Sequence, residues 1–388
     1  MQKRTNTAKW TGNRWRIDVR KDGERRSFYS STPGKVDQRE ANSKADRWLE
    51  SGTIDENRRV ISLWEEYLES VKASSGTSNY EQIRKSGENY ILPVIGNLKI
   101  GALTVGHLQD VLNRSYKSGT LRKGAKRQSK GPLSRKTLQG IRFAEKNFLR
   151  WARQHNYTTL TAEDLQVPKS ARLKGKKILQ PDAVRILFSC DTRICRRKRV
   201  FDEYIYAFRF LVSTGLRPGE LVGLHIGDID GRTVNLDGAI NRYGEETLGK
   251  NENAIRSFDM NDYALEAYLH QLELLRTVGF KMFRTDPLFP MRNQQSLYNR
   301  WRHYQKSNDI PPISLYEMRH TFVSMAQDLP DGKLKLLVGH SRNMDTRGVY
   351  GHQRTGDAQA TAKDLTDLFN EVLLPENQGG GQNGGQIA

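Results

Sequence analysis

Leu315-Tyr316-Glu317-Met318-Arg319-His320-Thr321 reads as a short helix with two unlike faces. Tyr316 and Arg319 lie three residues apart and share one side. Met318 and Phe322 form the neighbouring apolar side, which a core should cover. His320 is not expected to stand in for Tyr316 beside Arg319, because adjacent helical residues point about 100° apart. A permanently charged arginine beside a hydroxyl suits an anion, since guanidinium presents a planar fork to carboxylate or phosphate oxygens.

Three more segments flank this one. Upstream lie Thr214-Gly215-Leu216-Arg217-Pro218-Gly219-Glu220-Leu221 and Gly249-Lys250-Asn251. Downstream, Leu337-Val338-Gly339-His340-Ser341 leads to Val349-Tyr350-Gly351-His352. Arg217 alone would read as a helix-end ion pair with Glu220, three residues on. Lys250 is the only lysine between Lys198 and Lys281 and precedes a returning strand at Ala254 to Phe258. Gly339 reads as a helix terminator and Ser341 as the next cap.

In this order and spacing the four segments resemble the tyrosine recombinase, or phage integrase, family. The resemblance is sharp over residues 176–355 and looser elsewhere. It implies cleavage and rejoining of DNA through a 3′-phosphotyrosyl bond, with a helical clamp around the duplex. The expected function is site-specific recombination that integrates or excises a mobile element. Phosphoryl transfer needs charge stabilisation, a proton donor for the leaving oxygen and a nucleophile. The candidates are Arg217 and Arg319 as a phosphate clamp, Lys250 as the general acid implied by the family, His340 as a phosphate contact, and Tyr350 as the nucleophile. Tyr316 stands where the family pattern has histidine. A tyrosine of ordinary pKa, about 10, is a poor base at neutral pH, so Tyr316 is expected to donate a hydrogen bond to phosphate.

Composition fits a polyanionic partner. The chain carries a formal charge of +19. Between Arg114 and Lys177 there are eighteen Lys or Arg against Glu145, Glu163 and Asp164. Basic surface gains free energy by releasing counterions from nucleic acid, so a DNA-facing surface is expected there. Within it, Arg122, Lys123, Lys126, Arg127, Lys130, Arg135 and Lys136 occur without one acid, which describes a mobile solvated loop that DNA could order. Lys174, Lys176 and Lys177 extend the basic stretch.

The fold class expected is multidomain. Residues 1–55 form a small α+β, arm-type unit: Trp15, Ile17 and Val19 alternate with charged residues, Asp22-Gly23 signals a hairpin, and Arg25 to Tyr29 returns. Asp37 with Glu40 resembles a capping box for a helix that buries Ala41, Ala45, Trp48 and Leu49. Trp10 and Trp15 read as core, and Arg14, Arg16 and Arg20 as the DNA contacts. Residues 58–168 read as an all-α core-binding domain. There Val60, Leu63, Trp64, Tyr67, Leu68 and Val71 keep helical spacing, as do Leu108, Val111, Leu112 and Tyr116, then Leu138, Ile141, Phe148 and Trp151. Thr104 and Ser134 are expected N-caps. Pro168 to Lys177 reads as a linker, residues 176–374 as a mixed, mostly helical α/β catalytic domain, and residues 375–388 as a disordered Gly/Gln-rich tail.

No run of eighteen apolar residues occurs and the first residues lack a secretion signal, so a cytoplasmic protein working on DNA in a bacterial host is expected. Cys190 and Cys195 lack further ligands for zinc. The phosphotyrosyl bond would conserve the phosphodiester energy, so no cofactor or metal is expected. The family likeness implies double-stranded DNA with core and arm attachment sites as partner, a homotetramer on it, and room for an accessory directionality factor. The rivals are a type IB topoisomerase-like enzyme, a catalytically weakened regulator of the same fold, and, less favoured, a metal-dependent transposase.

Overall fold

The computed structural model describes residues 4–21, 23–50, 56–124, 129, 131–173, 175–247, 255–291, 293–339 and 356–374. The chain divides into two units, Met1–Lys174 and Gly175–Ala388.

In the first unit, alternation along β2 (Trp15–Lys21) turns Ile17 and Val19 inward and Arg16, Asp18 and Arg20 outward. β2 pairs antiparallel with β1 (Lys9–Trp10) and β3 (Glu24–Ser30), giving the order β1-β2-β3. α1 (Lys35–Glu50) closes the small core with Ala41, Ala45 and Leu49. The expected capping box is absent. Asp37 already lies inside the helix, and the Ser30 hydroxyl donates to both Asp37 and Glu40, at 3.0 and 3.2 Å. Trp15 packs on this core as expected, but Trp10 does not. It is exposed at the sheet edge, with its ring 5.5 Å from that of Trp15.

A second core in this unit gathers α2 (Val60–Ser74), α3 (Thr77–Ser86), α4 (Leu92–Ile95), α5 (Val105–Ser118) and α6 (Arg135–Gln154). The apolar stripes read from the sequence face it, with Trp64, Tyr67, Phe148 and Trp151 forming an aromatic cluster. Thr104 and Ser134 cap α5 and α6, each accepting a backbone N–H at 3.3 Å. The stretch from Pro168 is less of a linker than expected: Ala171 is buried in this core and the Arg172 carbonyl accepts from Arg135 N at 3.0 Å. The ends of the basic loop are also anchored. Leu121 and Arg122 amides donate to Asn89 O, and Thr120 N donates to Ser129 O.

The second unit begins with α7 (Pro181–Ser189), a hairpin of β4 (Thr192–Cys195) and β5 (Lys198–Phe201), α8 (Ile205–Thr214) and α9 (Pro218–Gly223). β6 (Ile229–Asp230), β7 (Thr233–Leu236) and β10 (Arg256–Asp259) form an antiparallel sheet ordered β10-β7-β6. A minor hairpin, β8 (Ala239–Ile240) with β9 (Glu246–Thr247), lies between them in sequence. α10 (Asp262–Thr277), α11 (Gln294–Ser307), α12 (Leu315–Met325), α13 (Asp331–Val338) and a last described helix, Asp357–Leu373, complete it. α8 is mostly apolar and almost wholly buried, with Arg209 turned to Asp191, so it forms the spine of this core. Its end, and the start of α9, place the first candidate arginine.

Candidate active site

α8 stops because Gly215 adopts φ +65°, a left-handed conformation that ends helices cheaply only in glycine. A Cβ at this position would come within 2.3 Å of the Phe322 ring on α12, so close packing also requires glycine. Pro218 then opens α9, leaving Arg217 at its N-cap. Glu220 reaches back: its carboxylate accepts from Arg217 N at 2.9 Å and from Arg217 Nη1 at 2.5 Å. The ion pair readable from the sequence is therefore present. Arg217 does more, however, because its Nη2 donates to the Gly339 carbonyl at 3.1 Å.

Arg319, on α12, is nearly inaccessible and points at the same place. Its Nη1 donates to Gly215 O at 2.9 Å and its Nη2 to Val338 O. Gly339 ends α13 with φ +60°, as expected of a terminator, and so presents the carbonyls of Val338 and Gly339 to the two arginines. Burial pushes Arg319 down to about 10, helped by the charges of Arg217 and Arg256 and opposed by Glu220. It still carries its charge at neutral pH.

The sequence reading missed a third arginine. Arg256, on β10, donates to both oxygens of Glu220, at 3.3 and 3.1 Å, and through Nε to Leu337 O at 2.8 Å. A signal existed: Arg256 stands two before the core residue Phe258, on the inward register of a strand. Burial would raise the carboxyl of Glu220, yet Arg256 and then Arg217 outweigh it and hold Glu220 below its usual range. Two guanidinium groups, those of Arg217 and Arg256, thus share the Glu220 carboxylate, and with Arg319 nearby on backbone carbonyls positive charge is in excess among the described residues.

Tyr316 is two-fifths exposed at the N-terminal end of α12, one turn before the buried Arg319. Its ring lies 5.5 Å from that of His320, edge to face, and 5.9 Å from Lys176 Nζ. Ser314 and Lys177 amides donate to Glu317, at 2.7 and 2.9 Å, which fixes the start of α12 and residue 177 together. His320 is depressed by burial and then by Lys176. Lys250, His340, Ser341 and Tyr350 lie outside the described residues.

Among the other basic candidates, Arg20, Lys123, Arg135, Lys136, Lys176 and Lys177 are exposed. Arg14 stacks over Tyr29 at 4.3 Å, Arg16 pairs with Asp18 at 3.1 Å, and Arg122 pairs with Glu88 at 2.6 Å. Lys126, Arg127, Lys130 and Lys174 lie outside the described residues, as do Asp22 and residues 375–388. Glu145, one of three acids in the basic stretch, is fully buried on α6, and desolvation lifts its carboxyl well above the usual range. It therefore offsets little of the surface charge. No described helix is long and apolar enough to cross a membrane. The described cysteines, Cys190 and Cys195, are unbridged.

The sequence profile of the phage integrase family matches residues 177–356, and that of the phage integrase N-terminal SAM-like domain matches residues 61–115. The chain belongs to this family, the tyrosine recombinases. Among curated relatives, the ICEBs1 integrase of Bacillus subtilis (strain 168) is 27% identical over 181 residues. That match covers 42% of this chain and 48% of the relative, so it spans about half of the relative's length. Among solved structures, the integrase of transposon Tn1549 in complex with transposon right end DNA superposes with a TM-score of 0.57 at 20% identity, covering 78% of this chain and 98% of that one. A lambda integrase dimer bound to a COC′ core site gives 0.55 at 14% identity, covering 92% and 97%. A lambda integrase tetramer bound to a Holliday junction gives 0.54 at 13%, covering 89% and 98%. These likenesses show the tyrosine recombinase fold.

Proposed function

We propose that this protein is a site-specific DNA recombinase, the integrase of a mobile element, which cuts and rejoins DNA through a covalent bond to Tyr350. The observation that carries this reading is the gathering of three arginines, Arg217 and Arg256 paired with Glu220 and Arg319 beside them, which leaves positive charge in excess among the described residues. Arg319 bonds backbone carbonyls at Gly215 and Val338, so its charge is left for an anionic ligand. A phosphodiester is the ligand that matches a paired guanidinium clamp.

In the reaction, the Tyr350 hydroxyl gives up its proton to solvent as its oxygen attacks the scissile phosphorus, and the bond from phosphorus to the 5′ oxygen breaks. Arg217 and Arg319 stabilise the charge gathered on the non-bridging oxygens. Lys250 gives its proton to the leaving 5′ oxygen, and His340 and Tyr316 donate hydrogen bonds to the phosphate. Attack by the 5′ hydroxyl of another strand reverses the step and restores a phosphodiester. The bond energy is held in the phosphotyrosyl ester throughout, so no nucleotide cofactor is needed.

On this reading residues 1–55 bind arm sites and residues 58–168 the core site, with residues 176–374 catalytic. The outward face of β2 offers Arg16 and Arg20, with Arg14 just before the strand, and α6 begins with Arg135 and Lys136 at the positive end of its dipole, where phosphate is favoured. The working form is a tetramer on two duplexes, in the cytoplasm of the host. Incubation with nicked duplex DNA from the borders of the element, followed by denaturing electrophoresis, tests the proposal. A protein–DNA adduct resistant to denaturation supports it; DNA binding without any adduct would leave a regulator in its place.

A further inference from the structure

We propose that Arg256 is a positioning residue of this reaction, acting through Glu220 and never touching DNA itself. The inference rests on the strand-transfer reading above.

Glu220 has four hydrogen-bond donors in place. Arg217 Nη1 and Arg256 Nη1 share Oε1, while Arg217 N and Arg256 Nη2 share Oε2. The carboxylate is thereby fixed in rotation, and with it the guanidinium of Arg217. Arg256 differs from Arg319 in that its Nη groups are committed to the Glu220 carboxylate and not to backbone carbonyls, so its charge is spent inside the protein. Its Nε, bonded to Leu337 O, grips the last turn of α13. The same turn supplies the carbonyls of Val338 and Gly339 that orient Arg319 and Arg217. One side chain therefore ties β10, the N-terminus of α9 and the C-terminus of α13 together.

The electrostatics point the same way. A lone Glu220 beside Arg217 would pair with it and cancel its charge. Arg256 shares both oxygens of that carboxylate, so among the described residues the cluster keeps two net positive charges, one more than Arg217, Arg319 and Glu220 would have alone. A buried charge network of this kind couples its members, and their substitutions do not add. Lysine at position 256 would keep the charge but lose the fork that spans both oxygens and the Leu337 carbonyl.

The test is single-turnover cleavage of a suicide duplex carrying the element's border DNA, by wild type, Arg256→Lys, Arg256→Met, Glu220→Gln and the Arg256→Met/Glu220→Gln double variant. Duplex affinity and thermal melting are measured on the same samples. The expected result is cleavage at least about tenfold slower for Arg256→Met with affinity within about threefold, partial rescue in Arg256→Lys, and less than about threefold further loss when Arg256→Met is added to Glu220→Gln. Wild-type cleavage by folded Arg256→Met, or full multiplication of the two single effects, would overturn the role of Arg256 while leaving the recombinase reading intact. Absence of any adduct with wild type would overturn both.

Discussion

Glu220 accepts from the backbone amide and from the guanidinium of Arg217, at 2.9 and 2.5 Å, so one carboxylate both caps α9 and orients a candidate catalytic cation. The arginines hold Glu220 below its ordinary range, which makes its charge a source of stability. A carboxyl whose folded pKa is depressed contributes fully above its unfolded value, about 4.3, and the contribution is lost as pH falls through the folded value. Glu220→Gln should therefore cost about 3 kcal/mol at pH 7, the lower end of the range for breaking a buried ion pair. Below about pH 4 the gap should narrow. Melting curves from pH 7 to 3 check this, and a constant gap would show that the ionised carboxylate adds nothing.

Arg217→Ala and Arg319→Ala should each slow cleavage by at least about 100-fold, the usual scale for removing one preorganised donor. Arg319 also fills two backbone acceptors, so its variant needs a melting check that Arg217→Ala needs less. Near-normal single-turnover cleavage by either folded variant would contradict the clamp.

Tyr316 tests the position at which this chain leaves the family pattern. If it donates a hydrogen bond to phosphate, Tyr316→Phe should lose about 1 to 3 kcal/mol of transition-state stabilisation, roughly 5-fold to 150-fold in rate. Tyr316→His should retain activity, because imidazole donates from the same helix face. The exposure of Tyr316 argues that neither change harms folding. Unchanged cleavage by Tyr316→Phe would remove it from the catalytic set.

What the sequence made legible follows from how local each signal is. Caps at Thr104 and Ser134, the glycine stop at 339, and the apolar stripes of α2, α5 and α6 depend on a few neighbouring residues, and each is where periodicity and cap chemistry put it. Arg256 was missed because its partners, Glu220 and Leu337, are 36 and 81 residues away, and nothing local distinguishes it from a surface arginine except its place beside Phe258. The capping box at Asp37 failed for a related reason: Ser30, on the neighbouring strand, competes for both carboxylates. Burial of Glu145 was equally invisible, since a lone acid on a basic helix reads as solvated until its neighbours are known.

DNA affinity should fall steeply with salt, and neutralising Lys123, Lys126, Arg127 and Lys130 should flatten the slope of log K against log salt. The slope changes by about 0.9 for each phosphate that the protein ceases to neutralise. Fluorescence anisotropy from 50 to 300 mM salt, on the order of the range in which counterion release dominates, measures it. An unchanged slope would mean that this basic run does not touch DNA.

The central claim is the covalent step, and mapping the adduct tests it most directly. The protein is trapped on a suicide duplex, digested, and the DNA-linked peptide is sequenced by mass spectrometry, with Tyr350→Phe run in parallel. The phosphotyrosyl bond should map to Tyr350, and Tyr350→Phe should form no adduct while binding the same duplex nearly as well, because it loses one nucleophilic oxygen and little apolar surface. A phosphotyrosyl peptide containing any other tyrosine, or an adduct formed by Tyr350→Phe, would contradict the account.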